Sequence, residues 1–222
     1  MVDRVRTSGI YDASRTGVTM IGLGGIGSMT ALTLAKMGVL QLTGIDPDEV
    51  SEENVATQFY KSSDIGTSKA LATMFPIIND YACDVNFMYL DARVDEFTVW
   101  GEIASEIVIS GVDSIQSRVD IWNAIYDKPW VWYIDARMGA ESLLIYTVRR
   151  KDRQWYDQML GELDDSQVDD APCTSKATFY TANGAACVLG KMVRQIITGQ
   201  TPPKVYSWNI LEDILFTVPH GG

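Results

Sequence analysis

The chain has 222 residues, a formal net charge of −11 and one histidine. That length suits one large α/β domain with a substantial core, and the acidity excludes a broad nucleic-acid surface, which needs clustered lysine and arginine. No apolar run approaches the roughly 20 residues of a membrane helix, and residues 1–16 lack a secretory apolar region, so a cytoplasmic protein without a membrane partner is expected.

Residues 1–16, with Arg4, Arg6 and Arg15, read as an arm or short helix ahead of the first strand. Gly17 to Asp48 then carries the strongest pattern. A short apolar run (Val18, Met20, Ile21) enters a glycine cluster, Gly22, Gly24, Gly25 and Gly27, and helical periodicity follows through Met29, Leu32, Leu34 and Met37. Gly38 stands at the expected C-cap, and a second strand, Leu40 to Ile45, ends on Asp46 and Asp48. A glycine turn opening a helix brings main-chain N–H groups to a phosphate that the helix dipole also favours, and an acidic residue about twenty positions on binds ribose hydroxyls. The unit reads as a nucleotide site; the alternative is a set of glycines that only packs a helix closely on a sheet.

Further along, Asp64 to Lys69 leads into a helix (Ala70, Leu71, Met74) that Pro76 disturbs near its end. Val85 to Leu90 is a third strand, Asp95 to Trp100 a short helix, and Ile103 to Ser110 contains a fourth strand. A helix from about Ser114 to Asp127 and an apolar fifth strand, Trp130 to Ile134, ending at Asp135, complete the alternation. Strands alternating with helices imply right-handed crossovers, a parallel sheet and a ligand beyond the strands' carboxyl ends, which puts Asp46 and Asp113 on one rim. Beyond Asp135, Glu141 to Arg149 is a strand, Gln154 to Val168 is polar and acidic, Ala177 to Ile197 is a long helix with small residues, and Lys204 to Val218 is a hairpin around Leu211 and Glu212. The fold class is therefore α/β, Rossmann-like and doubly wound, its mainly parallel sheet extended by C-terminal antiparallel strands. A single unit is expected over 1–222, with an arm (1–16), a nucleotide-binding half (17–140) and a C-terminal extension (141–222).

Gly22-Leu23-Gly24-Gly25-Ile26-Gly27-Ser28, Asp46-Pro47-Asp48, Asn54 with Gln58, Asp64 to Ala70, and Asp113 with Arg118 follow one another in a pattern that resembles the ThiF/MoeB/HesA adenylyltransferases, which share their fold with ubiquitin-activating enzymes. The resemblance spans Val18 to about Ala140 and covers the tail loosely. It implies ATP and Mg2+, a small ubiquitin-like or sulfur-carrier protein ending in Gly-Gly as partner, and usually a homodimer. Activating a carboxylate this way needs phosphate donors, a cation, a metal carboxylate and a ribose anchor, and no protein base, because the substrate is already an anion.

By resemblance, Gly22, Gly24, Gly25 and Gly27 form the phosphate turn, Asp46 holds ribose, Lys69 meets phosphate oxygens, Asp113 holds Mg2+, Asn54 is a neutral donor, and Gln58 and Asp48 complete the nucleotide site. The structural alternatives are a surface lysine at Lys69, an N-cap at Asp113, a turn residue at Asp48 and a structural ion pair at Arg118. The family's usual Asn-Leu-Asn-Arg-Gln appears as Asn54-Val55-Ala56-Thr57-Gln58, so an arginine has become Thr57. Lys61, or Arg4 or Arg6 reaching across a dimer, is its candidate substitute. A non-catalytic scaffold subunit is the runner-up function, and an NAD-dependent oxidoreductase fits Gly22 to Asp46 but leaves Lys69 and Asp113 idle.

The cysteines Cys83, Cys173 and Cys187 form no Cys-x-x-Cys pair, which excludes the relatives' zinc site and favours reduced thiols. Cys173 lies in a polar loop as a candidate thioester or persulfide cysteine, although neighbouring Asp169 and Asp170 would raise its thiol pKa. Cys187, inside the small-residue helix, is expected in the core. A single histidine, His220, leaves no room for chemistry needing two. The chain ends Pro219-His220-Gly221-Gly222, which is either a frayed end or a mimic of a substrate carboxylate entering its own or a neighbour's site.

Overall fold

A computed structural model describes residues 9–81, 84–95, 105–162 and 177–221. Five strands, β1 (Gly17–Ile21), β2 (Gln41–Ile45), β3 (Asn86–Leu90), β4 (Ile107–Ser110) and β5 (Trp132–Gly139), lie parallel to one another. Three more, β6 (Ser142–Arg149), β7 (Val205–Asn209) and β8 (Ile214–Val218), add antiparallel to the β5 edge. The order is β3-β2-β1-β4-β5-β6-β7-β8, which agrees with the α/β, doubly wound reading and its antiparallel extension. The order reverses between β1 and β4, so the connections leaving their carboxyl ends pass to opposite faces and open a crevice between them.

Helices α1 (Gly25–Met37), α3 (Lys69–Asn79) and α6 (Phe179–Ile197) cover one face, while α4 (Ile115–Ile125) and α5 (Arg153–Gly161) cover the other; α2 (Glu52–Val55) is a single turn. The strands' period of two divides their side chains between two cores. Ile107 and Ile109 of β4 join Leu34, Leu42 and Leu189 on the first face, and Val108 joins Trp122, Tyr133 and Tyr156 on the second. Caps sit where main-chain donors need them: Ser68 accepts from Leu71 N, Ser114 from Ser117 N and Thr178 from Thr181 N. Gly38 ends α1 with a left-handed φ of 98°.

Several expectations change. β5 runs on to Gly139, so Asp135 lies within a strand rather than at its end, because β6 pairs with it along its whole length. Arg153–Gly161, read only as polar and acidic, is a helix that buries Tyr156 and Leu160 four residues apart. Pro76 sits inside α3, which continues to Asn79. Cys187 is exposed rather than in the core, because the buried stripe of α6 runs through Ala182, Ala185, Ala186, Leu189 and Val193 and leaves position 187 on the outer side. The β7–β8 hairpin forms as expected; Trp208 packs on the first core while Phe216 is exposed. The short helix expected at 95–100 falls mainly outside the described residues.

The tail is tied down at the amino end of β5, on the side of the sheet away from the glycine turn. His220 is buried beside Trp132, with Nε2 3.0 Å from Thr147 Oγ1 and Nδ1 3.2 Å from Asp152 Oδ2. Arg149 donates to the Gly221 carbonyl at 3.0 Å. Through Gly221 the tail thus lies away from the glycine turn of its own chain; burial and nearby Arg149 hold the His220 pKa below its ordinary value, against the pull of Asp152.

The glycine turn itself sets a sharp steric limit. A Cβ on Gly27 would lie 1.8 Å from the Gly22 carbonyl oxygen, whereas one on Gly161 would meet nothing within 4 Å. Gly27→Ala is expected to cost about 3 kcal/mol or more, and Gly161→Ala to be neutral or stabilising by up to ~1 kcal/mol; urea denaturation of both variants checks the contrast.

Candidate functional site

At the centre of the rim, β1 turns into α1 through Gly22, whose φ is 83°. The N-cap of α1 is Gly24, which has no side chain to cap the helix. The first intrahelical bond is Ser28 N to the Gly24 carbonyl, so the amides of Gly25, Ile26 and Gly27 are the helix's open donors. Open amides at the positive end of a helix are an anion site. Around it, a Cβ on Gly25 would meet Met138 Cε at 3.1 Å, the Thr57 carbonyl oxygen at 3.6 Å and Ala182 Cβ at 3.7 Å, so β5, the 54–58 segment and the start of α6 wall the turn.

Asp46 is buried beside this turn, 5% exposed. Its Oδ2 accepts from Leu23 N at 2.6 Å and its Oδ1 from Asp48 N at 2.9 Å. Burial raises its pKa, outweighing those two main-chain hydrogen bonds and the Lys69 charge, which act to lower it. Each oxygen keeps a second acceptor direction for a hydroxyl donor.

Lys69 opens α3, 11% exposed, with Nζ 2.9 Å from Asp48 Oδ2. It is thus a largely buried cation spent on a carboxylate that is itself 59% exposed, rather than a free surface lysine. Gln58 places its side-chain amide 3.9 Å from the Cβ position of Gly24, and its buried Oε1 has no partner among the described residues. Asn54 Oδ1 accepts from Ser51 N at 3.0 Å, so this amide closes α2 through its oxygen. Lys61, the candidate substitute for the missing arginine, has its Nζ 2.6 Å from Asp80 Oδ2 on the surface.

Asp113 is exposed on the β4–α4 loop, and the N-cap of α4 is its neighbour Ser114. The loop touches the turn directly, since a Cβ on Gly22 would meet Val112 Cγ1 at 2.9 Å, and Gly111 N donates to the Ile21 carbonyl at 2.8 Å. Arg118 is a buried ion-pair partner rather than a ligand group: its Nε donates to Asp135 Oδ1 at 3.0 Å. Cys173, Arg4 and Arg6 lie outside the described residues.

Two groups at the site escaped the sequence reading. The Tyr60 hydroxyl donates to the Leu23 carbonyl at 2.5 Å and lies 3.2 Å from Thr73 Oγ1, bracing the glycine turn against α3; burial pushes its pKa well up. Asp135 is fully buried and also accepts from Arg137 Nε at 2.8 Å and from the Tyr156 hydroxyl at 2.9 Å. Burial acts to raise its pKa, but Arg118 and Arg137 prevail and hold it below the usual carboxylate range. Nothing local marks Tyr60, while an aspartate inside an otherwise apolar strand is a signal, since a charge there must be paired.

Together these features give an α/β protein with an uncapped helix N-terminus and a buried carboxylate at the switch point of its sheet. The chain belongs to the ThiF family, whose model matches residues 1–216. It is similar to ubiquitin-like modifier-activating enzyme 5 of Drosophila grimshawi, 30% identical over 128 residues that are 52% of this chain and 32% of that enzyme. It is also similar to the SAMP-activating enzyme E1 of Haloferax volcanii, 29% identical over 120 residues, 53% of this chain and 44% of that one. The chain therefore spans less than half the length of these two curated relatives. In fold it is like E. coli MccB, solved with AMPCPP and MccA, with a TM-score of 0.74 at 16% identity, covering 94% of this chain and 65% of that one. Among the described residues no helix is long and apolar enough to cross a membrane, and no group of three or more His, Cys, Asp or Glu forms a self-contained metal cage.

Tyr60→Phe would leave the buried Leu23 carbonyl and Thr73 hydroxyl short of a partner. A loss of about 1–3 kcal/mol is expected in urea unfolding at neutral pH, with the helical circular dichroism of the native state unchanged.

Proposed function

We propose that this chain is an ATP-dependent adenylyltransferase that activates the C-terminal carboxylate of a small ubiquitin-like or sulfur-carrier protein ending in Gly-Gly. The supporting observation is that an uncapped helix N-terminus, a buried carboxylate with free acceptor directions, a largely buried lysine and an exposed aspartate share one rim. In the reaction, a carboxylate oxygen of the carrier bonds to the α-phosphorus, the bond from that phosphorus to the bridging oxygen breaks, and pyrophosphate leaves with the electron pair.

Each residue has a task that follows from its surroundings. The Gly24 to Gly27 main chain cradles phosphate oxygens, Asp46 accepts from ribose hydroxyls, and the amides of Gln58 and Asn54 border the nucleotide. Lys69 exchanges the Asp48 carboxylate for phosphate oxygens, which leaves Asp48 free to turn to solvent or metal. Asp113 fits a Mg2+ ligand, because that ion takes one or two carboxylates and completes its shell with phosphate oxygens and water rather than an all-protein cage. When bound, Mg2+ supplies charge neutralisation for the departing pyrophosphate. Thr57 contributes no charge, so the site works with one fewer cation than the usual family pattern, and an arginine from the second subunit of a homodimer would restore it.

Purified protein with a candidate carrier is expected to catalyse ATP–pyrophosphate exchange. Asp113→Ala should reduce exchange by ~100-fold or more, while Lys128→Ala, in the α4–β5 connection at the amino end of β5, should not. Loss in neither variant removes Asp113 from the mechanism, and ATP binding without exchange for any carrier would favour a scaffold subunit instead.

A further inference from the structure

Arg118 is 5% exposed in its side chain and makes contacts that converge on one short segment. Its Nη1 donates to the Ser114 carbonyl at 3.0 Å, and its Nη2 donates to the Val112 carbonyl. Those are the residues immediately before and after Asp113. The third arm, Nε, is fixed by Asp135, whose other oxygen is held by Arg137 and Tyr156. On its remaining side the segment rests against Gly22 through Val112. The main chain on both sides of an exposed carboxylate is thus clamped by a planar, three-way donor whose own position is set from the buried centre of the sheet.

We propose that the Arg118–Asp135 pair is a positioning device for Asp113, which holds that carboxylate facing the glycine turn so that it meets the metal of a bound metal–nucleotide complex. The inference rests on the function proposed above and assigns Arg118 no contact with substrate. Lysine cannot replace it, because a single ammonium cannot reach two carbonyls and a carboxylate with fixed geometry. Removing Arg118 takes the donor from Asp135 Oδ1, while Oδ2 keeps Arg137 and Tyr156 as partners.

The test compares Arg118→Met, Asp113→Asn and the double variant in the full chain, by calorimetry of ATP binding across a Mg2+ titration and in EDTA. Arg118→Met is expected to raise the Mg2+ concentration for half-maximal ATP binding at least ~10-fold and to leave affinity in EDTA within about threefold. The double variant should be no worse than Asp113→Asn, because Arg118 acts only through that carboxylate. Equal losses with and without Mg2+, or additive losses in the double variant, would overturn the proposal. If the Arg118 variants do not fold, 15N relaxation of the wild type decides: order parameters near 0.85 for residues 112–114 support the clamp, and values below about 0.6 overturn it. A wild-type chain that binds no nucleotide would instead sink the functional reading, and one that binds metal–nucleotide while Arg118→Met keeps its Mg2+ dependence would sink this inference alone.

Discussion

The hydrogen bond from Leu23 N to Asp46 Oδ2, 2.6 Å long and buried, joins the end of β2 to the turn after β1. Through it the glycine turn stops being a loop and becomes part of the sheet. A second bond of the same carboxylate, from Asp48 N, orients that residue two positions on, and Asp48 in turn holds Lys69. Tyr60 closes the circuit by bonding the carbonyl of the residue whose amide Asp46 holds. One aspartate therefore sets the relative position of the open amides, the lysine and the start of α3. Burial makes its charge costly, and its two main-chain donors partly offset that cost.

On the other side of β1 a second carboxylate does the same work for the β4–α4 loop. Asp135 is compensated by two arginines and a tyrosine hydroxyl, all from the face that carries α4 and α5. A buried ion pair of this kind need not stabilise the fold more than a well-packed apolar group would, but breaking it from one side costs several kcal/mol. Its value lies in geometry, since it fixes an arginine that in turn fixes main-chain carbonyls. The two carboxylates stand on either side of the switch point between β1 and β4 and frame the crevice.

Much of this was legible in the residues because the signals were local. The glycine cluster, the acid at the end of β2 and the alternation of strand and helix are short-range patterns, and β1, α1, β2, α3, β3, β4 and α4 stand within a few residues of where they were expected. Helix α5 was missed because Arg153, Gln154, Asp157 and Gln158 hide a two-residue buried stripe, Tyr156 and Leu160. Cys187 was misplaced because a stripe of small residues surrounds it, and residue size does not tell which side of a helix faces the sheet. Lys61 stood as a candidate for the missing arginine and Arg118 was open between ligand and ion pair, since their partners, Asp80 and Asp135, are 19 and 17 residues away and only the fold brings them together. Tyr60 had no signal at all, because its partner is a main-chain carbonyl that every residue possesses.

The account depends on a triphosphate lying against the open amides of α1 with its ribose at Asp46. The most direct measurement is a crystal structure of the protein grown with a non-hydrolysable ATP analogue and Mg2+. The account predicts phosphate density within hydrogen-bond distance of the Gly24 to Gly27 main chain, ribose hydroxyls on Asp46, and Lys69 turned from Asp48 to a phosphate oxygen. A nucleotide bound elsewhere, or Lys69 and Asp113 both left without contact to the phosphate and metal, would contradict it.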